Sequence, residues 1–412
     1  MTADEVARAE RVESVLPALR DAAVDADRDG EFPIGHVKVL SDAGLMGLVA
    51  PVSHGGLGGG LRDLAGATFA MGTACPSTAL AFFFHCSSAS RGLLGLEAVA
   101  AGLFPDAAEA AAVRGFADRV LMAMGTEGRW MANFASEQAK SAGANITIAT
   151  EATKVDGGWR INGVKSYGCA TGVADDYLVT AKLAGTDTAE GLALFIVGRD
   201  ADGVSERARW DAIGMRATAT HGLVLEDVFV ADDHALGVPG AFVRMMQMSR
   251  GTFVGNQLAA TAVYAGCAQG VFDVSAQLLT DRKIDDTGES LGATGAYAWI
   301  LGEMAADLDI AMNGLRRQLD LETSEPPLLP KGDVVKAWRI AKGTVSEAAF
   351  RVGTGALKAC GTSSTGMSGP VSRALRDLSM GLVQAFPAEK GKLEAAQITV
   401  TGQAATGFAA RK

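Results

Sequence analysis

The chain has 412 residues, 48% of them hydrophobic and 20% charged, which is enough to bury more than one core, and the length suggests two or three packed units. Its 37 Lys and Arg against 47 Asp and Glu give a net charge of −10, which argues against a nucleic-acid backbone or an anionic membrane as the main partner. The five cysteines, Cys75, Cys86, Cys169, Cys267 and Cys360, form no Cys-x-x-Cys pair. Neither a metal site nor a disulfide framework is expected from them, and reduced thiols in the cytoplasm fit best.

Met1 to Arg20 carries charge throughout, with no apolar stretch of the signal-peptide kind. From Thr2 onward apolar residues recur at three and four, as in Val12, Val15, Leu16 and Leu19, so an N-terminal helical domain is expected over 1–123. Pro51 and the glycines from Gly55 to Gly60 break it with a loop. That glycine run does not meet the spacing of a dinucleotide fingerprint, and no β-α-β pattern surrounds it.

Between 124 and 236 the pattern changes to short alternating runs: Ile146 to Thr153, Trp159 to Ile161, Tyr177 to Ala181, Leu192 to Val197 and Gly222 to Val230. Turn residues such as Asp156-Gly-Gly158 and Asn162-Gly163 separate them, and a closed or sandwiched antiparallel β domain is expected. Helical periodicity returns over 237–412, in segments near 240–281, 292–320, 332–360 and 369–384 and in a last stretch from Ala388, which implies a four-helix bundle. The alanine-rich segment Thr252 to Gln269 comes nearest to a membrane span, but Asn256 and Gln257 favour a bundle helix.

The order helical, β, helical and four local blocks resemble the acyl-CoA dehydrogenase family over nearly the whole chain. The blocks are Gly44-Leu-Met-Gly-Leu-Val-Ala-Pro51 with Gly55-Gly56; Phe134-Ala-Ser-Glu-Gln138; Trp159-Arg-Ile-Asn-Gly-Val-Lys-Ser-Tyr-Gly-Cys169; and Ile213-Gly-Met-Arg216 with Val224 to Val230. The resemblance implies an FAD-dependent oxidoreductase with an α+β multidomain fold: N-terminal helical domain, middle β-barrel and C-terminal four-helix bundle. It places Phe134 and Ser136 on the flavin ring, Tyr167 beside it, and Cys169 where the family has a threonine facing flavin N5. Cysteine is a weaker donor than that hydroxyl. It also gives Arg282 the role of the arginine that reaches the pyrophosphate of a neighbouring subunit's FAD. Gly361 and Thr362 fall in the turn that packs on the pyrophosphate. Ser141 lies near the substrate's thioester end, and Phe84 on a helix that lines the substrate side. Gln138 departs from the family's proline.

Desaturating an acyl thioester needs a base for the α proton, and the family uses a buried glutamate. Eight residues after Arg376-Asp377 the ungapped register places Ala385, and Val238 to Phe272 contains no Asp or Glu. A four-residue insertion brings Glu389 to the position, with a charged residue on a solvated helix start as the alternative. His85, in Phe82-Phe-Phe-His-Cys86, is a second candidate base or polar anchor, with a core histidine bonded to a carbonyl as its alternative.

Three functions follow as expectations. The first is α,β-desaturation of a CoA or carrier-protein thioester, with hydride passing to flavin N5 and electrons leaving to an electron-transfer flavoprotein or oxygen. The second is a flavin monooxygenase or oxidase on the same fold, and the third is a catalytically silent subunit of a hetero-oligomer. A homotetramer or homodimer is expected.

Overall fold

Thr2 and Glu5 close a capping box, each side chain taking the other's backbone N–H, and this starts helix α1 (Ala3–Asp29). The computed structural model describes residues 2–137, 148–249, 258–384 and 386–402. Helices α2 (Gly35–Asp42), α3 (Leu61–Ala74), α4 (Pro76–Ala100) and α5 (Ala107–Gly125) complete the N-terminal layer. Within α4 nearly every residue is buried, because it packs on α3, α5 and the first strand of the sheet. Among the described residues no helix is long and apolar enough to cross a membrane.

Among the described residues the middle region is an eight-stranded sheet: β1 (Met131–Phe134), β2 (Glu151–Val155), β3 (Gly158–Gly168), β4 (Asp176–Leu183), β5 (Leu192–Gly198), β6 (Val204–Arg207), β7 (His221–Ala231) and β8 (Ala235–Leu236). Its path runs β6-β7-β3-β2-β4-β5-β8, with β1 on β4. Most pairs are antiparallel, but β1 and β2 both pair parallel with β4, at Met131 to Phe134 and at Glu151 to Ala152, so the sheet is mixed where an antiparallel one is expected from the turns. The β2–β3 hairpin turns at Asp156-Gly157, as its Gly-rich sequence requires. Strands β1 and β6 have no run of alternating residues long enough to be read in advance.

Inside the sheet Lys165 is fully buried, and its Nζ donates to Glu137 Oε1 at 2.6 Å and to the Thr180 carbonyl at 2.5 Å. Glu137 also accepts from the N–H groups of Ala149 and Thr150. Burial is the largest influence and works to raise the Glu137 carboxyl, but the Lys165 charge together with the hydrogen bonds from Lys165, Ala149 and Thr150 outweighs it and holds the group below its ordinary range. Every polar atom of this buried pair has a partner, which is the condition under which buried charge is tolerated.

The C-terminal helices are α6 (Ala241–Met246), α7 (Leu258–Asp281), α8 (Gly295–Thr323), α9 (Lys331–Cys360), α10 (Pro370–Gly381) and α11 (Ala388–Thr401). Where one helix is expected over 240–281, α6 and α7 are separate elements. Three layers meet at Arg376 and Asp377 on α10. The Arg376 guanidinium grips the Asp27 carboxylate of α1 with two bonds and donates to the Ile213 carbonyl. The Met215 N–H donates to Asp377 Oδ1 at 2.6 Å. Between them only glycine fits, since a Cβ at Gly214 would lie 2.0 Å from the Arg376 carbonyl oxygen. Arg216 donates to the Asp27 and Ala212 carbonyls, a structural tie between layers.

Candidate active site

The ends of β1 and β3 bring the Phe134 and Tyr167 blocks together. The Ser166 N–H donates to the Ser136 carbonyl at 2.9 Å. Gly168 lies so close to the Phe134 ring that a Cβ would sit 2.4 Å from it. Phe134 is therefore core, edge-on to Tyr177, and supports this end of the sheet with its ring. Ser136 is exposed, and Tyr167 is 53% exposed with Trp210 edge-on against its ring at 5.6 Å.

Cys169 follows on the buried side, with its Sγ 3.0 Å from Thr220 Oγ1. Thr220 Oγ1 is 2.6 Å from Thr218 Oγ1, and the Thr218 hydroxyl donates to the Met215 carbonyl at 2.9 Å. The order of donors follows from the last bond. With the Thr218 proton spent on Met215, Thr220 donates to Thr218 and the Cys169 thiol donates to Thr220. In that order the Cys169 proton points to Thr220. Burial pushes its thiol up to about 12, so it stays a neutral thiol. Three non-glycine residues around this chain, Ala170, Met215 and Ala219, adopt left-handed φ of 63°, 51° and 45°. Strain of this kind persists where surrounding bonds enforce it, and it gathers at functional sites.

Facing Cys169 from the bundle is Tyr264 of α7, whose phenol donates to the Gln384 side-chain carbonyl. Burial, with the nearby Cys169 as a further contributor, raises the Tyr264 phenol well above its ordinary value. Gln384 immediately precedes Ala385, which lies outside the described residues. Gly381 and Phe386, on either side of Gln384, are held by Lys342 of α9, whose Nζ donates to their carbonyls at 2.9 and 2.5 Å.

Neither candidate base meets the demand for a buried, free carboxylate. Glu389 is exposed in the first turn of α11, beyond the buried Phe386, where a negative charge suits the helix dipole. His85 is fully buried and bonded at both nitrogens: Nδ1 accepts from the Met131 N–H at 3.0 Å, so Nε2 carries the proton and donates it to the Met46 carbonyl at 2.8 Å. Burial lowers its pKa to about 4. Its lone pair is spent on backbone, so it is a core histidine that fixes β1 against the N-terminal helices. Asp377 is buried and pushed up to about 7 by burial, against the pull of the Met215 N–H. It serves the Gly214-Met215 turn. No carboxylate can enter from the undescribed stretches, since 138–147, 250–257, Ala385 and 403–412 contain no Asp or Glu.

The Arg282, Gly361 and Thr362 expectations meet at the far end of the bundle, where Arg282 Nη2 donates to Ser363 Oγ at 3.4 Å. Arg282 lies roughly 27 Å beyond Tyr264 along α7 at about 1.5 Å per residue. Ser141 lies outside the described residues. Phe84 is the least buried of the three phenylalanines on its turn of α4 and packs edge-on to Phe83.

These residues fit a flavin nucleotide. At one end stand an exposed aromatic ring, the Ser136 hydroxyl and the buried Ser166 hydroxyl, which has no partner. A separate set at the far end of the bundle, a guanidinium with the hydroxyls of Thr362 and Ser363, is the donor set of a phosphate site, which the family resemblance gives to a neighbouring subunit's nucleotide. Thr218, Thr220, Tyr264, Gln384 and Asp377 were beyond sequence reasoning. The one available signal was the polar run Ala217-Thr218-Ala-Thr-His221, too polar for the buried strand it enters.

The chain matches the family models for the N-terminal, middle and C-terminal domains of acyl-CoA dehydrogenase over residues 4–109, 132–228 and 258–386. It is 29% identical to the L-evernosamine nitrososynthase of a Micromonospora species, over 89% of this chain and 83% of that one. It is 24% identical to the cyclohex-1-ene-1-carbonyl-CoA dehydrogenase of Geobacter metallireducens, over 87% of each. Among solved structures, KijD3 in complex with FMN and a dTDP-amino-keto sugar superposes with a TM-score of 0.80 at 24% identity, over 99% of this chain and 97% of that one, a likeness of fold.

Proposed function

From the chain's membership of the acyl-CoA dehydrogenase family, and as a flavin-dependent oxidoreductase of that family, we propose that it works as a monooxygenase whose substrate loses no proton to a carboxylate. When bound, the flavin supplies two-electron redox chemistry at its N5 edge. The observation that carries the reading is the make-up of the wall around Cys169: Thr218, Thr220, Tyr264 and Gln384 are neutral, and Asp377, whose charge acts on Tyr264, is tied to the Met215 backbone. Desaturation cannot proceed on such a wall without a base brought from elsewhere. Oxygen insertion has no such need. Per turnover it consumes one O₂ and two electrons from a reduced nucleotide or flavin donor, leaves one oxygen in the product and releases the other as water.

The chain's own residues have separate tasks in this reading. Tyr167 and Ser136 bind and orient the ring from the sheet side. The Cys169-Thr220-Thr218 chain keeps its protons directed inward and excludes water behind the ring. Tyr264 donates its hydrogen bond to the Gln384 side-chain carbonyl, which leaves the Gln384 amide N–H groups to orient a substrate acceptor. The named nitrososynthase relative agrees with an oxidation at nitrogen.

Thioester desaturation is the second reading, favoured by the dehydrogenase relative and requiring Glu389 to reach inward. The two separate when the holoenzyme is reduced, mixed with ¹⁸O₂ and a panel of amine and carbonyl substrates, and analysed by mass spectrometry. The proposal expects a product carrying one ¹⁸O atom. Release of only hydrogen peroxide across the panel, together with turnover of an acyl-CoA, would contradict it.

A further inference from the structure

Arg91 carries a charge that the described residues around it do not answer. It lies on α4 seven residues after Phe84, with Ser87 and Ser88 between, so the four share one face of the helix. It is 6% exposed. Its Nε has no hydrogen-bond partner, its Nη1 meets only the Met246 thioether at 3.9 Å, and the Phe242 ring lies 5.9 Å from the guanidinium carbon. Among the described residues no Asp or Glu pairs with it. Residues 138–147 and 250–257 have none to offer either. Burial lowers its pKa to about 10, which leaves it charged at neutral pH. Uncompensated buried charge costs stability that a methionine of similar reach would not, so fold alone gives no reason for it.

We propose that Arg91 is the recognition point for an oxyanion, a carboxylate or a phosphate, carried by the substrate. The inference rests on the reading that the Phe84 face of α4 lines the substrate side. A guanidinium is suited to the part: its planar fork matches either oxyanion, and within an apolar surround of Phe242 and Met246 such a bond is strong and selective for charge. A neutral substrate would leave the guanidinium unanswered in the complex as well.

The test uses the flavin-loaded full-length protein and the variants Arg91→Met and Arg91→Lys. Thermal unfolding is followed with sodium phosphate, sodium pyrophosphate and sodium butyrate, each against sodium chloride at equal ionic strength, and flavin affinity is measured by fluorescence. The wild type is expected to gain about 2 °C or more with at least one oxyanion at saturating concentration. Arg91→Met is expected to lose that gain, to unfold no earlier than the wild type without ligand, and to hold flavin equally well; Arg91→Lys keeps part of the gain. Which salt acts distinguishes phosphate from carboxylate. An equal gain in Arg91→Met, or earlier unfolding of Arg91→Met with no anion effect on the wild type, overturns the proposal. So does a tenfold loss of flavin affinity in Arg91→Met, which assigns the guanidinium to the cofactor's phosphate. None of these readouts involves turnover, so failure of the monooxygenase reading leaves the anion site standing and the reverse holds equally.

Discussion

Two buried cations show how differently the same chain treats charge. Lys165 is enclosed by the sheet and fully answered, by Glu137 and by the Thr180 carbonyl. Arg91, nearly as buried in the helical layer, meets a thioether and an aromatic ring. A third cation, Lys342, stands between them, satisfied by two carbonyls and no carboxylate. The comparison separates charge that holds the fold from charge that awaits something, and it does so by partners, since burial is similar in all three.

The largest effect expected is from Glu137→Ala, which strands Lys165 and is predicted to cost about 3–5 kcal/mol in chemical denaturation. Arg91→Met, on the same scale, costs nothing or stabilises; an equal loss in both would erase the distinction. Next comes Asp377, whose folded pKa of about 7 lies above its ordinary value of 3.8. Its contribution is fully present below about pH 4 and is lost as pH rises through 7, because the buried carboxyl must then ionise. Asp377→Asn keeps an oxygen for the Met215 N–H, so relative to the wild type it gains of the order of 4 kcal/mol between pH 4 and 8. A flat difference would show that Asp377 ionises without penalty. Lys342→Met leaves the Gly381 and Phe386 carbonyls unpaired and costs about 1–3 kcal/mol, with the turn before α11 exchanging amide protons first. The smallest effect is at Glu389, where Glu389→Gln changes turnover less than about twofold, since removing a solvated charge shifts no barrier by a kcal/mol.

The layering was legible in the sequence because long stretches keep one character: a period of 3.6 in the helix from Ala3, near-alternation along β7, and a short unbroken apolar run in β5, buried on both faces. Strand β6 was not, since an edge strand reading Val-Ser-Glu-Arg satisfies its backbone on one side only and needs no apolar alternation. Within the site the sequence carried the residues that lie in contiguous blocks, such as Ser136 and Tyr167. It did not carry the Cys169-Thr220-Thr218 chain or the Tyr264-Gln384 pair, whose members are 51 and 120 residues apart and meet only through tertiary packing. The direction of the Cys169 proton was further hidden, because it depends on what Thr218 does two bonds away. His85 had the right position and the wrong surroundings: its two backbone partners, Met46 and Met131, come from segments that no local pattern brings to it.

The claim that no carboxylate base serves this site is tested most directly by proton exchange. Butyryl-CoA is incubated with the oxidised holoenzyme in D₂O without oxygen, and deuterium at its α carbon is followed by NMR alongside the flavin absorption band. The account predicts no exchange above the enzyme-free rate and an unbleached band, the same for wild type and Glu389→Gln. Exchange and bleaching in the wild type that vanish in Glu389→Gln would place a working base at Glu389 and contradict it.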